Sequence, residues 1–406
     1  MKNIMSRSLF ILMTIVLLSC QSARLIGQRP GKPQLFALNI KALEKNKTAI
    51  NNKDESVADA YKQLIKDADK ALKFGPVSVM EKTHTPPSGD KHDYMSLAPY
   101  HWPDSSKPGG LPYMRKDGQT NPEVKEYKDK DYQPKLCEYV QTLALAYYFS
   151  ESEMYAEHAA KLLRVWFLDP ETRMNPNLNF AQAIKGVNEG RGAGLIDTRH
   201  YVKLIDGINL LKGSKNWKAA DQAGMQQWFA SFLNWMQTSE IGIHELNAKN
   251  NHGAWYDAQR LALALFVDST DLAKRIISNA AGRLDYQVDE NGFFPKEMER
   301  TISLHYTAFV MNAFFTIAQM ADKVGIDFWK LTTPSGKSLQ KTFVALKPYL
   351  ADEKNWEGQQ IKAYDYEDGY MLMMEGYNHF KCRDCEQAVQ RLADEKASRL
   401  RIKLLY

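Results

Sequence analysis

Apolar residues recur every three or four positions through most of the chain beyond residue 55. Trp228, Phe232 and Trp235, for example, fall on one such stripe. This spacing is that of an amphipathic α-helix, which turns one apolar face toward a core. The pattern predicts helices over residues 56–74, 132–149, 151–166, 217–237, 254–267, 270–287, 301–323 and 337–348.

These segments follow one another with short polar connections, and the sequence holds no comparable set of alternating strands. Helix pairs in such a succession stack into a toroid or a superhelix. No exact repeat is visible, so the sequence does not identify a regular solenoid. We predict an all-α fold, an (α/α) toroid or incomplete α/α barrel of paired helices, formed as one domain by residues 35–406.

Two segments interrupt the helical pattern. Residues 83–124 are rich in proline and glycine but also hold Tyr100, His101 and Trp102. A loop of this length is uncommon in a compact domain unless it has a function, and its aromatic content argues against disorder. Residues 288–299 form a shorter turn before the next helix. We expect both segments to form walls of a cleft.

The N-terminus has the pattern of a secretory signal over residues 1–19. Lys2 and Arg7 precede an uncharged apolar run, residues 9–18, that is too short to span a bilayer. The run ends in Leu-Leu-Ser-Cys, which resembles a bacterial lipobox and predicts lipidation of Cys20; an ordinary signal peptide with a chance cysteine is the alternative. Residues 20–34 then form a polar tether. We expect an exported protein, periplasmic or anchored to the outer membrane, that touches the membrane only through this lipid.

Composition narrows the choice of partner. Hydrophobic residues make up 44% of the chain and aromatic residues 11%, which suffices for a large core. The net charge is +5, and the signal sequence contributes two of those charges. This excess is too small to indicate nucleic acid binding. Basic residues gathered in a cleft would still attract an acidic polysaccharide.

Cysteine usage gives no indication of a cofactor. Cys382 and Cys385 form a CxxC pair, which in an exported protein favours a local disulfide. His379 precedes the pair and leaves a zinc site as the alternative, although no second ligand pair supports it. We therefore expect neither a metal nor another cofactor.

The candidate chemistry begins at residues 250–252, Asn-Asn-His, just before a predicted helix. Free N–H groups and the helix dipole favour an anion at such an N-terminus. Asn251 and His252 supply an amide and an imidazole that can neutralise a carboxylate, and Asn250 is a further binding candidate. Helix capping by an asparagine and a hydrogen-bonded core histidine are the structural alternative.

Residues 300–306 supply the groups for proton transfer. Arg300 can pair with a carboxylate, and Tyr306 has the chemistry of a proton shuttle if a neighbouring cation lowers its pKa. On a straight helix the two side chains would lie about 120° apart and flank a cleft. His305 is a reserve candidate. An exposed arginine and a half-buried tyrosine are the alternative.

Further candidates would bind sugar. Asn188 and Arg191 lie in a glycine-rich bend that lets a ligand approach the backbone closely. Aromatic side chains could stack on sugar rings, although each is also an ordinary packing residue. The aromatic candidates are Tyr100, His101, Trp102 and Tyr256.

Asn251-His252 followed by Trp255, and Arg300-xx-Ser303-xx-Tyr306, resemble motifs of the alginate lyase superfamily of (α/α)-toroid polysaccharide lyases. Residues 93–123 are similar to a branch of that superfamily found in Bacteroidetes. The resemblance covers residues 75–380. It implies that Asn251 and His252 neutralise a uronate carboxylate, that Arg300 assists, and that Tyr306 acts as base and acid. It also implies that His252 is the base for some substrates and that no metal is needed.

We thus predict a lyase that cleaves a uronate polysaccharide of the alginate, polymannuronate or glucuronan type by β-elimination, leaving a 4,5-unsaturated uronyl end. Such chemistry needs donors around the carboxylate, a base for the C5 proton and an acid for the leaving oxygen. One alternative is a glycoside hydrolase that acts on uronyl oligosaccharides through a pair of carboxylates. Another is a glycan-binding lipoprotein without catalysis. Carboxylates available to a hydrolase are Glu189, Asp197, Asp257 and Asp365.

Overall fold

The computed structural model describes residues 32–352, 355–395 and 400–406. Residues 32–406 form one compact unit. The predicted signal sequence, Cys20 and most of the predicted tether lie outside the described residues. Within the described part, no helix is long and apolar enough to cross a membrane.

The described residues are mainly helical. The helices are α1 (Ile40–Asn51), α2 (Glu55–Ala71), α3 (Lys128–Ser150), α4 (Glu153–Leu163), α5 (Tyr201–Leu210), α6 (Ala219–Thr238), α7 (Glu240–Leu246), α8 (Asn251–Phe266), α9 (Thr270–Gln287), α10 (Pro295–Met298), α11 (Ser303–Ala321), α12 (Leu339–Leu350), α13 (Glu367–Phe380) and α14 (Arg383–Glu395). Four short strands accompany them: β1 (Met95–Leu97), β2 (His101–Trp102), β3 (Met114–Arg115) and β4 (Phe180–Ala183). β1 pairs with β4 in parallel, and β2 pairs with β3 antiparallel.

Each helix predicted from apolar spacing is present, with ends shifted by a few residues. The pattern missed α1, α5, α7, α10, α13 and α14. The case of α5 shows why, because every residue of that helix except Lys203 is buried. A helix buried on nearly all sides has no polar face and therefore no amphipathic period. The strands were missed because two to four residues are too few to show alternation.

The helices form two layers. In the inner layer α3, α5, α8, α11 and α13 pack against one another in succession. Outer helices cover them: α4 packs on α3, α6 and α9 on α8, and α12 and α14 on α13. Most residues of α8 and α11 are buried, as expected for helices with protein on both sides. This is the predicted all-α toroid of paired helices.

The last described residues bridge the two ends of the inner layer. Arg401 donates to Thr142 Oγ1 of α3 over 3.1 Å and pairs with Asp67 of α2 at 3.2 Å. The Tyr406 hydroxyl donates to Glu375 Oε1 of α13 over 2.5 Å. The inner helices therefore form an incomplete barrel whose seam between α13 and α3 is spanned by residues 401–406.

Asp206 of α5 holds the start of the described chain. Its Oδ1 accepts from the Phe36 N–H over 2.6 Å, and its Oδ2 accepts from Ala37 and Leu38 over 2.9 and 2.7 Å. Burial raises the pKa of Asp206 to about 6. Because backbone N–H groups that lose a partner inside a protein are costly, this carboxylate fixes the path of residues 36–38.

Asp206→Ala should lower the free energy of unfolding by about 2–4 kcal/mol, since it strips three N–H groups of their acceptor. Urea unfolding followed by circular dichroism measures the change. Asp59→Ala, at an exposed position of α2, serves as the control and should leave stability within about 0.5 kcal/mol of wild type. An equal free energy of unfolding for Asp206→Ala and wild type would show that the hydrogen bonds to Asp206 do not stabilise the fold.

Candidate active site

The start of α8 places the amide and the imidazole predicted from the sequence. The Asn250 side chain accepts from the His252 N–H over 3.2 Å and caps the helix. The turn before the helix is held by Arg283, which donates to the Ala248 carbonyl over 2.7 Å. A Cβ on Gly253 would lie 2.0 Å from that guanidinium, so a glycine is required there. For Asn250 the structure thus shows the capping contact, and the predicted binding role stays a prediction.

Asn251 is fixed by a buried carboxylate. Glu297 accepts from the Asn251 backbone N–H over 2.6 Å and from its Nδ2 over 2.8 Å. Burial raises the pKa of Glu297, while the nearby Arg300 and His252 oppose that rise. Asn251 Oδ1 is buried and has no partner among the described residues. Gln133, Asn209 and Gln287 also have a buried amide oxygen without a partner among the described residues, so this feature alone does not indicate a ligand.

His252 is held by a second buried carboxylate. Its Nδ1 lies 2.7 Å from Glu245 Oε1, and Glu245 is buried at the end of α7. A carboxylate at Nδ1 favours a proton on that nitrogen and leaves the lone pair on Nε2. Arg191 lies close enough to Glu245 for the two charges to interact.

A third carboxylate, Asp117, holds Arg300. Arg300 Nη2 donates to Asp117 Oδ1 over 2.7 Å, and Nε donates to Oδ2 over 3.0 Å. Burial alone would raise the pKa of Asp117. The hydrogen bonds from Arg300 and Thr301 outweigh that effect and keep the pKa well below its usual range. Gly118 permits the contact, since a Cβ there would lie 2.5 Å from Thr301 Oγ1.

The predicted geometry of Arg300 and Tyr306 is wrong. Because α11 begins only at Ser303, Arg300 lies in the preceding turn, and its guanidinium packs 3.6 Å from the centre of the Tyr306 ring. The two side chains therefore stack instead of standing 120° apart. The charge of Arg300 is also shared with Asp117, so it is not free for a substrate alone.

Tyr306 is 9% exposed, and its hydroxyl donates to the Tyr100 hydroxyl over 2.9 Å. Burial raises the pKa of Tyr306 far above its usual value, and Arg300 offsets only part of that rise. The sequence led us to expect a lowered pKa; the structure shows the opposite. The phenol is therefore neutral near pH 7, which suits a proton donor.

These groups form one continuous set of contacts. Glu297 bonds to Asn251 and interacts with Arg300, which covers the Tyr306 ring. Tyr306 in turn bonds to Tyr100 of the proline-rich segment. The structure thus links Asn251, Arg300 and Tyr306 through contacts, and His252 interacts with the same Glu297. Tyr100 and Asp117 come from residues 83–124, and Glu297 comes from residues 288–299.

His101 and Arg191 lie close enough to interact electrostatically. Burial first, and then Arg191 and Arg115, lower the pKa of His101 to about 4, so its ring is neutral near pH 7. Its Nδ1 is buried without a partner among the described residues. Arg191 donates to the side chain of Gln182 over 3.0 Å. These contacts leave the predicted binding role of both residues untested.

Three more of the predicted binding residues form contacts of their own. The Trp102 indole donates to the Gln119 carbonyl over 2.9 Å, and the ring is half-buried. Asn188 Oδ1 accepts from the Ile184 N–H over 3.1 Å and so shapes its own turn. The His305 ring lies parallel to Phe309 with centres 6.5 Å apart. None of these three contacts tests the predicted binding role.

The sugar-stacking role predicted for Tyr256 is wrong. It is 1% exposed, and its hydroxyl donates to the Met236 carbonyl over 2.7 Å. The ring belongs to the core between α6 and α8 and cannot stack on a sugar.

The zinc alternative for the CxxC pair is also wrong, since Cys382 and Cys385 are joined in a disulfide and offer no thiolate.

Sequence reasoning missed the three carboxylates that hold the site. Asp117 and Glu297 lie in the two segments predicted to be cleft walls, and Glu245 lies seven residues before His252. Nothing in their spacing distinguishes them from solvated acids. The one available signal is Asp117-Gly118, a pair typical of tight turns.

Comparison with known proteins places this site in a family. The family model described as alginate lyase matches residues 78–356. The crystal structure of an alginate lyase from Bacteroides ovatus is 39% identical, covers 92% of this chain and 99% of its own, and superposes with a TM-score of 0.87. Alginate lyase A1-III from Sphingomonas species A1 is 15% identical, with coverages of 84% and 94% and a TM-score of 0.53, and therefore shares only the fold. No curated protein matches the chain.

The helical toroid and its amide, imidazole, guanidinium and phenol define a polysaccharide lyase. The family model covers more than half of the sequence. This chain belongs to the alginate lyase family.

Glu245→Ala should lower kcat about 100-fold, because His252 loses the group that fixes its proton and its orientation. Glu245→Gln keeps an acceptor oxygen and should lose less. Initial rates of double-bond formation, read by ultraviolet absorbance, give the comparison. Glu240→Ala, at an exposed position of the same helix, is the control. Wild-type turnover by Glu245→Ala would mean that His252 needs no such support.

Proposed function

We propose that this lyase cleaves an alginate-type or glucuronan-type polysaccharide by β-elimination next to a uronate carboxylate. The observation that carries the proposal is the arrangement of Asn251, His252 and Tyr306, each held by a separate contact. The similar Bacteroides ovatus protein is an alginate lyase, which supports alginate as the first substrate to test.

His252 is the base in this proposal. Glu245 retains a proton on Nδ1, so Nε2 presents a lone pair to the C5 hydrogen of the sugar. When Nε2 takes that proton, the imidazole becomes cationic beside Glu245, and the buried carboxylate stabilises the new charge.

Tyr306 is the acid. Because burial keeps its phenol protonated, it can donate to the glycosidic oxygen that leaves C4. The Arg300 guanidinium over the ring stabilises the phenolate that results. Tyr100, bonded to the same hydroxyl, offers a route by which the proton is restored.

The sugar carboxylate gains negative charge as the C5 proton departs, and donors must meet it. Asn251 Nδ2 carries two hydrogens, of which Glu297 takes one, so the other is available to the carboxylate. Arg191, which interacts with both His101 and Glu245, adds positive charge. Loss of one such donor typically costs about 3–4 kcal/mol of barrier.

The hydrolase alternative finds little support. Asp197 is buried and bonded to Lys130, Gln182 and Ser96, and Asp257 is buried against Arg283. Each carboxylate of the site itself is already bonded to an amide, an imidazole or a guanidinium. A hydrolase needs two carboxyl groups free to face the glycosidic bond.

Tyr306→Phe should reduce kcat on a cleaved uronan by about 10²–10⁴-fold while leaving substrate affinity within a few-fold, because only the proton donor is removed. Ultraviolet absorbance measures turnover, and calorimetry measures binding. Tyr377→Phe, an exposed phenol on α13, is the control. If wild type binds uronans but never forms the double bond, the non-catalytic alternative is correct. If it releases reducing ends without absorbance, the hydrolase alternative is correct.

The N-terminal pattern supports a proposal about location: the protein is exported and held at the periplasmic face of a membrane by a lipid on Cys20. Cys20→Ser should move the protein from the membrane fraction to the soluble fraction of fractionated cells, without changing the activity of the purified domain. Membrane association that survives Cys20→Ser would contradict the lipid anchor.

A further inference from the structure

Arg199, Lys203 and Phe309, which belong to the inner helices α5 and α11 and to the turn before α5, are called the basic recess below. Lys203 is the one exposed residue of α5, whose other residues are all buried. Even so, protein surrounds its ammonium group closely enough for burial to lower its pKa. Lys203 therefore reaches water from a helix of the inner layer.

Arg199 lies in the same recess, four residues before Lys203. Burial lowers the pKa of its guanidinium, which packs 5.5 Å from the centre of the Phe309 ring. Its one hydrogen bond among the described residues goes to the Ile196 carbonyl, over 3.3 Å. Neither Arg199 nor Lys203 forms an ion pair with any described residue.

One carboxylate faces these cations from α13. Arg199, Lys203 and His305 all act on Asp368, which is further fixed by Asn312 Nδ2 over 3.1 Å. Asp197 also acts on Arg199 but is bonded to Lys130. Lys203 also faces Glu138, which is paired with Arg401, and Glu367. Asp368 therefore acts on both cations and on His305, although Asp197 acts more strongly on Arg199.

The recess adjoins the catalytic tyrosine. Tyr306 is one of the groups that interact electrostatically with Arg199. The Phe309 ring, on which Arg199 packs, lies 6.5 Å from the rings of both Tyr306 and His305 and 5.1 Å from Trp255. Trp255 and Phe309 are only partly buried, so the recess combines an aromatic wall with cations, a pairing suited to an acidic sugar ring.

We propose that Arg199 and Lys203, with Phe309 as an aromatic wall, form a subsite that binds the carboxylate of a second uronate unit of the chain being cleaved. The inference rests on the proposed function and extends it, because it requires the substrate to be acidic beyond the unit that reacts. Enclosed cations without a close ion pair are costly to a protein, and a ligand carboxylate supplies the missing partner. Asp368 interacts electrostatically with His305 and the two cations without forming an ion pair with them.

The test compares Lys203→Gln with wild type on di-, tri- and tetrauronates of the cleaved uronan. Lys203→Gln should raise KM about 10-fold on oligomers long enough to reach the recess, with kcat within about twofold. Lys203→Arg keeps the charge and should restore most of the affinity. Lys212→Gln, just beyond α5 and outside the cluster, is the matched control and should leave KM unchanged. Thermal melting of each variant establishes that it is folded.

Direct binding separates this inference from the proposed function. Tetrauronate titrated into the Tyr306→Phe protein should bind about 10-fold more weakly when Lys203→Gln is added, and Arg199→Gln should have an effect of the same sign. Equal KM and equal binding for Lys203→Gln and wild type at every length would overturn the subsite. So would a fall in kcat with KM unchanged. If wild type cleaves no uronan, the proposed function fails, and the titration alone then decides the subsite.

Discussion

Three buried or half-buried carboxylates govern this site, and none of them is positioned to react. Glu297 holds the amide of Asn251, Glu245 holds the imidazole of His252, and Asp117 holds the guanidinium of Arg300. Charged acceptors form stronger hydrogen bonds than neutral ones, and protein that excludes water strengthens them further. Each functional group is therefore fixed before substrate arrives.

This arrangement also determines which group can give a proton and which can take one. Burial keeps the Tyr306 phenol protonated, whereas Glu245 leaves a lone pair on His252 Nε2. The two groups thus begin in the states that the proposed mechanism requires of its acid and its base. Arg300, stacked on the phenol, contributes after the proton has moved, when the phenolate carries charge.

Features that depend on residues close together in the chain could be predicted from the sequence. Features that depend on packing between distant segments could not. Apolar spacing predicted the main amphipathic helices, and the resemblance in residues 250–255 and 300–306 predicted the groups of the site. The fully buried α5 carries no such period, and Tyr256 has the same type of side chain as Tyr100 although only one of them reaches the site. The ion pair of Asp117 with Arg300 joins residues 183 positions apart, and no local sequence pattern predicts it.

The most direct test of the account is a crystal structure of the Tyr306→Phe protein with a bound oligouronate. The account predicts that the carboxylate of one uronate contacts Asn251 Nδ2, that C5 of that unit faces His252 Nε2, and that its glycosidic oxygen faces residue 306. An oligosaccharide bound with C5 turned away from His252, or with its carboxylate remote from Asn251, would contradict it.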